Sequence, residues 1–473
     1  METASIDLSF ELQQLLSAEQ AWHYRVIPKF KDERVIELFI DERQESEHLR
    51  EELEVVLGKK ILLTKASSVW IEKNLTQHYR QQSQSRSTHS VFAGNNLQAL
   101  ISEARHLGSS DIHIEIYENK ARIRFRIDGQ LIERHRVESQ DYPALVNKIK
   151  IMANMDIAEK RLPQDGRIFF VQDNHRFDIR VSSVPSLHGE KIVLRLLGND
   201  ATNIDIKTLG FSPKQLKDYL DGTRKPHGIV LISGPTGSGK TTSLYATLKV
   251  LNKSTNNILT VEDPVEYTLE GINQVQVKDN IGLTFARALR SFLRQDPDII
   301  MLGEIRDPET AEMAVRAAMT GHLVLSTIHT NSAWDTIGRL QDMGVPYYLI
   351  ASTLNTSVAQ RLLRLLCPHC KKEEVLREED LPSGFKLPNP VKNHYSPVGC
   401  PECYYTGYKG RKAIYEVIPV DAEVSNLIKQ KEHSVDEFLK QKGISFLYES
   451  ALQLFAEGKT SLDEIYPILL NAT

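Results

Sequence analysis

Apolar positions recur along this chain with two different periods, and the changes between them divide it. Residues 24–28, 35–40 and 60–64 carry the short apolar runs of strands, and 45–57 the spacing of a charged amphipathic helix. A small α/β domain is therefore expected over 1–79. Residues 80–90 (Arg-Gln-Gln-Ser-Gln-Ser-Arg-Ser-Thr-His-Ser) are polar without apolar periodicity and predict a flexible linker. A second unit, 91–221, opens with a helical pattern at 95–107. Strict alternation follows at 111–116 and 121–127 across the turn-like 117–120, with further strands at 167–171, 177–181 and 191–197. Residues 222–228 read as a hinge. From 222 to 365 apolar strands alternate with helices, as a parallel α/β sheet requires. A cysteine-bearing segment, 366–420, and a helical region, 421–473, complete the chain, and no internal repeat is present.

One apolar run, Gly228-Ile-Val-Leu-Ile-Ser233, leads into Gly234, Pro235, Thr236, Gly237, Ser238, Gly239, Lys240 and Thr241, and Thr242 continues into a helical stretch. This is a P-loop between a strand and a helix. The glycines let the backbone curl so that N–H groups and a helix N-terminus point at a phosphate. Lys240 supplies charge to the β/γ-phosphates, and Thr241 can ligate Mg²⁺. A chance glycine-rich turn would not need both flanking elements. ATP or GTP binding is the expectation.

Asp298-Ile-Ile-Met-Leu-Gly-Glu304 is a buried-strand pattern that ends in a carboxylate, with Gly303 where an aspartate is usual. A second carboxylate is then needed to orient water. Glu262, ending the apolar run from Asn257, is the leading choice for general base, with Asp263 and Glu266 in support. A solvated acidic turn before Pro264 is an equal alternative. Phosphoryl transfer is mostly positioning and charge stabilisation, so arginines matter. Arg287, Arg290 and Arg294 share one helix face, and Arg122, Arg124 and Arg126 share one face of a strand. Basic faces are more often solvated than catalytic.

The chain's 473 residues suggest about three domains on the usual prior. Its formal charge of −4 argues against non-specific nucleic-acid binding. No apolar run approaches the length of a membrane span, and residues 1–7 have no secretory-signal character. All four cysteines fall in Cys367-Pro-His-Cys370 and Cys400-Pro-Glu-Cys403. Paired CxxC turns favour a reducing compartment and a tetrahedral Zn²⁺ site, although the gap of 29 residues exceeds the usual spacing. Redox-active or unligated thiols would be expected to use one pair, not two.

Several long motifs then fall in one order. They are Ser110-Asp-Ile-His-Ile-Glu115, Arg124-Phe-Arg-Ile-Asp-Gly129, Arg161-Leu-Pro-Gln-Asp-Gly-Arg167 and Pro185-Ser-Leu-His-Gly-Glu-Lys191, then the P-loop. Ile258-Leu-Thr-Val-Glu-Asp-Pro-Val-Glu266, Leu293-Arg-Gln-Asp-Pro-Asp298, Gly303-Glu-Ile-Arg-Asp307 and Thr320-Gly-His-Leu-Val-Leu-Ser-Thr-Ile-His-Thr-Asn331 follow. With these motifs the chain resembles the type II secretion and type IV pilus assembly ATPases over residues 91–420.

That resemblance implies a RecA-like P-loop core, a PAS-like α+β domain before it, a small α/β N-terminal extension and a zinc-binding C-terminal insert. It implies a homo-hexameric ring motor at the cytoplasmic face of the inner membrane, attached through a platform protein and a cytoplasmic adaptor, with no nucleic acid involved. Glu262 and Glu304 become the catalytic carboxylates, His322 and His329 sense or couple the nucleotide, and Arg124, Arg126, Arg287, Arg290 and Arg294 become γ-phosphate or interface contacts. The tetracysteine element implies a closed structural zinc site of the assembly and export members, which the retraction members lack. Residues 1–79 show no Arg-Leu-Gly-type second-messenger motif, so docking is expected there rather than cyclic-di-GMP binding. Ser109 and Ile116 depart from the commoner form of the first motif. A DNA-translocating RecA-like motor and a non-catalytic nucleotide-gated scaffold remain as alternatives, opposed by the acidic balance and by the intact Lys240, Thr241, Glu262 and Glu304 respectively.

Overall fold

The computed structural model describes residues 12, 15–16, 18–32, 35–44, 46–78, 97–118, 120–172, 175–196, 205–377, 380–382, 385, 387, 391–432 and 434–470. The expected linker, 80–90, lies outside them. The chain divides into two compact units, Met1–Val91 and Phe92–Thr473.

In the first unit, strands β1 (Val26–Lys31), β2 (Val35–Asp41) and β3 (Lys60–Ala66) form one sheet, antiparallel between β1 and β2 and parallel between β2 and β3. Helices α1 (Ala18–Tyr24), α2 (Ser46–Leu57) and α3 (Ser68–His78) pack with it. The alternation of β2 puts Ile36, Leu38 and Ile40 into a core with Leu53, Ile61, Ile71 and Leu75.

The second unit begins with α4 (Leu97–His106) and an antiparallel sheet of order β6-β5-β4-β9-β8-β7. Its strands are β4 (Asp111–Ile116), β5 (Ala121–Ile127), β6 (Gln130–Val137), β7 (Gln164–Gln172), β8 (His175–Ser186) and β9 (Gly189–Leu196). Ile112 and Ile114, with Ile123 and Phe125, bury one face against α4 and α5 (Tyr142–Met152). The alternate residues Asp111, His113 and Glu115, opposite Arg126, Arg124 and Arg122, make the other face a ladder of charges.

The core sheet, among the described residues, has seven strands in the order β12-β11-β13-β14-β10-β15-β18. These are β10 (Gly228–Ser233), β11 (Ile258–Glu262), β12 (Asn273–Gln276), β13 (Ile299–Leu302), β14 (Leu323–Ile328), β15 (Leu354–Leu366) and β18 (Tyr408–Pro419). All neighbours run parallel except β18, which pairs antiparallel with β15. A parallel sheet must be covered on both faces. Val230 and Ile232 face α6 (Pro213–Thr223) and α7 (Lys240–Leu251), the helices on either side of the P-loop in sequence. Ile229 and Leu231 face α8 (Phe285–Phe292), α9 (Pro308–Met319), α10 (Asp335–Asp342), α11 (Tyr347–Thr353) and the C-terminal helices. The short hairpin β16 (Lys372–Val375) and β17 (Asn393–Ser396) lies between the cysteine pairs.

The element boundaries differ from expectation in two places. Helix α6, with Ile206, packs on the core through Tyr219 rather than on the six-stranded sheet, so the core begins before 222. The range 366–420 also contains β18, a full strand of the core sheet. Ala413, Ile414, Tyr415, Val417 and Ile418 are buried on both its faces, which a strand under two layers of helices requires. The helical region comprises α12 (Ala422–Gln430), α13 (Asp436–Gln441), α14 (Leu447–Ala456) and α15 (Leu462–Leu469).

Candidate functional site

The C-terminal edge of the parallel sheet gathers the nucleotide chemistry, as open α/β sheets place ligands. Strand β10 is buried along its whole length, and its last residue opens a loop whose rim, Pro235–Gly237, is exposed. The loop closes at Gly239, in the left-handed region (φ 87°), which caps α7. A side chain at Gly234 would stand 2.5 Å from the Gln360 carbonyl, and one at Gly239 2.9 Å from its amide. Only glycine lets the loop lie this close to β15. Gln360 in turn donates to the Ser238 carbonyl (2.9 Å) and accepts from Ser243 Oγ on α7 (2.9 Å).

Lys240 is nearly buried, and its Nζ donates to the carbonyls of Gly234 (2.7 Å) and Pro235 (3.0 Å). Burial pushes its ammonium down to about 8, opposed by Glu304 and helped by Arg361. Thr241 is exposed at the mouth and Thr242 half-buried behind it. Glu304, just past β13, pairs with Arg306 Nε (2.5 Å) and with His329 Nε2 (3.7 Å) at the end of β14. Burial, with Lys240 beside it, holds His329 below the ordinary imidazole range despite Glu304.

Glu262 ends β11, beside Gly303, yet its environment is different. It is 3% exposed and accepts hydrogen bonds from the Tyr245 hydroxyl, from Thr260 Oγ1 (2.6 Å) and from Gln274 Nε2 (3.2 Å). Burial raises its carboxyl above the ordinary range against those three donors. Asp263 is exposed, whereas Glu266 pairs with Arg180 (3.1 Å) on β8, which also donates to the Val265 carbonyl. A side chain at Gly303 would stand 3.3 Å from Glu262 Cα, a physical reason for glycine where an aspartate is usual.

The other expected residues lie elsewhere. His322 precedes β14, with its Nδ1 2.9 Å from the Ala317 carbonyl. It is separated from His329 by a six-residue strand, about 20 Å, and so sits at the opposite end of the sheet. Arg287 donates to the Gly282 carbonyl (2.8 Å), Arg290 pairs with Glu309 (3.0 Å) and Arg294 donates to the Arg290 carbonyl (3.0 Å). Arg124 is held by Glu115 (2.7 Å), and Arg126 by Asp111 (3.5 Å) and the Gly129 carbonyl (2.8 Å). Burial would raise Glu115, but Arg124 and Lys191 outweigh it and hold it at about 2. The partners of these five arginines all lie away from this chain's own P-loop.

Sequence reading passed over Gln360, Arg361, Tyr245 and Arg180. Arg361 donates to the carbonyls of Gln360 (3.1 Å) and Asn331 (2.8 Å), bridging the strand under the P-loop to the loop after His329. The available signal for the first two was an adjacent Gln-Arg pair midway along a strand whose other polar residues are Asn355, Thr356, Ser357 and Arg364.

At the far end of β15 and β18 the four cysteines converge. All four sulfurs lie within 4.8 Å of one another. Cys367–Cys400, Cys370–Cys403 and Cys400–Cys403 are 3.8, 3.7 and 3.7 Å apart. A tetrahedral zinc with Zn–S bonds of about 2.3 Å has edges of about 3.8 Å. Backbone N–H groups of Gly399, Cys400 and Gly407 point at the sulfurs at 3.2–3.3 Å, the support that thiolate ligands need. The residues fit a structural metal site with no open position, and no disulfide joins them.

The family model for type II/IV secretion system proteins matches residues 87–467. The type II secretion system protein HxcR of Pseudomonas aeruginosa is 48% identical over 378 residues, 80% of this chain and 77% of the relative. The type IV pilus assembly ATPase PilB of the same organism is 48% identical over 363 residues, covering 76% of this chain and 64% of PilB. Among solved structures, the pilus retraction motor PilT with bound ADP is 26% identical with a TM-score of 0.54, covering 78% of this chain and 96% of PilT. The core is RecA-like, and the chain is an ATPase that belongs to the type II/IV secretion system protein family.

Proposed function

We propose that the chain works as a homo-hexameric motor that hydrolyses ATP to ADP and phosphate to power pseudopilus assembly and protein export by a type II secretion system. The observation that carries this reading is the meeting of Lys240, Glu304 and His329 at the C-terminal edge of the core sheet. Lys240 exchanges its loop carbonyls for the β/γ-phosphates. Thr241 would hold Mg²⁺, which would supply positive charge against the charge that develops on the phosphates. Glu304 orients the attacking water and His329 reports its state, while Glu262 fixes the neighbouring strand end. Arg124, Arg126, Arg287, Arg290 and Arg294 contact a neighbouring subunit or its nucleotide, consistent with their distance from this chain's own P-loop. The cysteine cluster holds structural Zn²⁺, supported by sulfur spacings that match a tetrahedron.

In this reading residues 1–79 dock the motor on a cytoplasmic adaptor and inner-membrane platform protein at the cytoplasmic face. In the same reading attachment runs through those partners; no helix among the described residues is long and apolar enough to cross a membrane. The test of the site is ATP hydrolysis by purified Lys240→Ala, expected to fall at least about a hundredfold. Turnover that persists in that variant overturns the assignment.

The equal identity to PilB supports a second reading with the same chemistry, in which the motor extends a type IV pilus. Tagged Glu304→Gln, trapped with ATP in the native host, separates the two. Pseudopilins and secretion platform proteins co-purify in the first case, a major pilin and its platform protein in the second.

A further inference from the structure

Strand β18 carries two neighbouring side chains that point to opposite faces of the core sheet. Tyr415 faces the P-loop helix, stacks on Phe211 at 3.6 Å and lies 3.3 Å from Ser243 Oγ. Glu416 faces the other way, is 3% exposed, and has no cationic side chain within salt-bridge distance among the described residues. Its Oε1 accepts the Ala333 N–H at 2.8 Å and its Oε2 the Leu447 N–H at 3.3 Å. Ala333 belongs to the loop that follows His329, and Leu447 is the first residue of α14. One carboxylate thus ends a loop of the nucleotide site with one oxygen and caps a C-terminal helix with the other.

The surroundings make that loop a connector. Arg361 holds the Asn331 carbonyl at 2.8 Å, Ser233, the last residue before the P-loop, donates to the Ser332 carbonyl at 3.3 Å, and Ser357 donates to the Ala333 carbonyl at 2.7 Å. Leu447 stands at the helix N-terminus, where backbone N–H groups have no partner within the helix. A buried acceptor there removes the desolvation cost of an unsatisfied donor. A buried carboxylate with no direct ion pair, acted on by Arg361 only from beyond salt-bridge distance, is expensive, and a core glutamine or an apolar residue would be the ordinary choice. Burial pushes Glu416 up to about 7 against the two N–H groups that favour its charged form.

We propose that Glu416 is a positioning residue that couples the nucleotide site to the C-terminal helices, transmitting displacement of the loop after His329 to α14. The inference rests on the ATPase reading above and deepens it. Neither Glu416 nor Leu447 touches the nucleotide site directly, so the coupling runs through the Ala333 and Leu447 amides.

The test uses the purified full chain and its Glu416→Gln variant, in which an amide N–H₂ must face one of the two backbone donors. Hydrogen exchange is followed at 331–335 and 447–456 with and without ADP, alongside steady-state ATP turnover. In the unmodified chain ADP changes exchange in both segments. In Glu416→Gln the response at 447–456 is lost while that at 331–335 remains. Turnover falls about tenfold to a hundredfold, the scale of a small displacement of a catalytic group, and KM for ATP stays within about twofold. An unchanged response at 447–456 overturns the proposal. So does a joint loss of ADP binding and thermal stability, which marks a merely structural role. Leu447→Pro supplies an independent check, since proline at the first helical position removes only the N–H, and Phe446 (φ −74°, ψ 162°) already has the extended backbone a following proline needs. Leu447→Ala controls for the lost side chain. Uncoupling by Pro beyond that by Ala is expected, and equality overturns the proposal. A chain that neither binds ADP nor hydrolyses ATP would sink the ATPase reading itself, whereas an active chain with a coupled Glu416→Gln sinks only this inference.

Discussion

Two different kinds of cluster lie along the β15–β18 ladder, one beside its middle, where Gln360 lies under the P-loop, and one beyond its Leu366–Tyr408 end. At the first Lys240 rests on carbonyls of its own loop, and Glu304 on the exposed side chains of Arg306 and His329. At the second four sulfurs face one another, with backbone N–H groups filling the remaining directions. The first set of partners is replaceable by phosphate oxygens and water; the second leaves nothing for a substrate to replace. A site that turns over keeps its charges on partners that can be exchanged, and a site that only holds a fold closes its coordination shell.

The largest effect that would break this contrast lies at Glu304. Glu304→Gln removes the charge but keeps the shape. Turnover should fall about 10²- to 10³-fold, the usual scale for one electrostatic contact in the transition state. Nucleotide binding, read by a fluorescent ADP analogue, should persist. Loss of binding together with turnover would make Glu304 part of the phosphate cradle instead.

Glu262 sharpens the contrast, because it ends the neighbouring strand yet is wrapped in three neutral donors. Two carboxylates whose environments push them apart take different roles. Glu262→Gln should lower turnover by only about tenfold, since the amide oxygen still accepts two of the hydrogen bonds. Its pH signature is distinct. A carboxyl raised in the folded state binds its proton more tightly there than in the unfolded chain, so its contribution to stability is present at low pH and lost as pH rises through the folded value. The melting temperature of the unmodified chain should therefore drop relative to Glu262→Gln as pH climbs above the ordinary carboxyl range. Parallel curves would show Glu262 to be ordinary.

Smaller still is the titration of Lys240. With its ammonium pushed down to about 8, affinity for ADP should weaken as pH rises past that value, by at most about tenfold per pH unit for one proton. A flat profile from about pH 7 to 9, either side of that value, would mean that the phosphates do not depend on this charge.

Local motifs made much of this molecule legible. The P-loop and the paired cysteines state their chemistry within a few residues, and the alternation of β4 and β5 is plain in the sequence. What stayed hidden depends on pairing at long range. Gln360 matters because β15 lies beside β10, and Tyr245 because a turn of α7 faces the end of β11. The burial of Glu262, which the sequence could equally read as a solvated acidic turn, is set by β12 and α7, not by its neighbours in the chain. Likewise β18 joins the core only because β15 offers it an edge, which places Glu416 opposite Ala359, a residue remote from it in the chain. The separation of His322 from His329 follows from one fact, that a strand carries its two ends to opposite edges of a sheet.

The smallest effect on turnover is expected where the structural effect is clear. Cys400→Ser removes one of four ligands from a cluster whose sulfurs already sit at tetrahedral spacing. Zinc content, measured by atomic emission on the purified chain, should fall from one ion per chain towards none, and thermal stability should fall with it, because metal binding is folding free energy for such an element. Turnover at about 25 °C should stay within about threefold, since a closed structural site offers no group to the reaction. Unchanged zinc would refute the metal assignment. Turnover lost as deeply as in Glu304→Gln, with the melting temperature intact, would instead show that the two clusters along the ladder are one machine, and that the hairpin transmits to the nucleotide site what the cysteines hold in place.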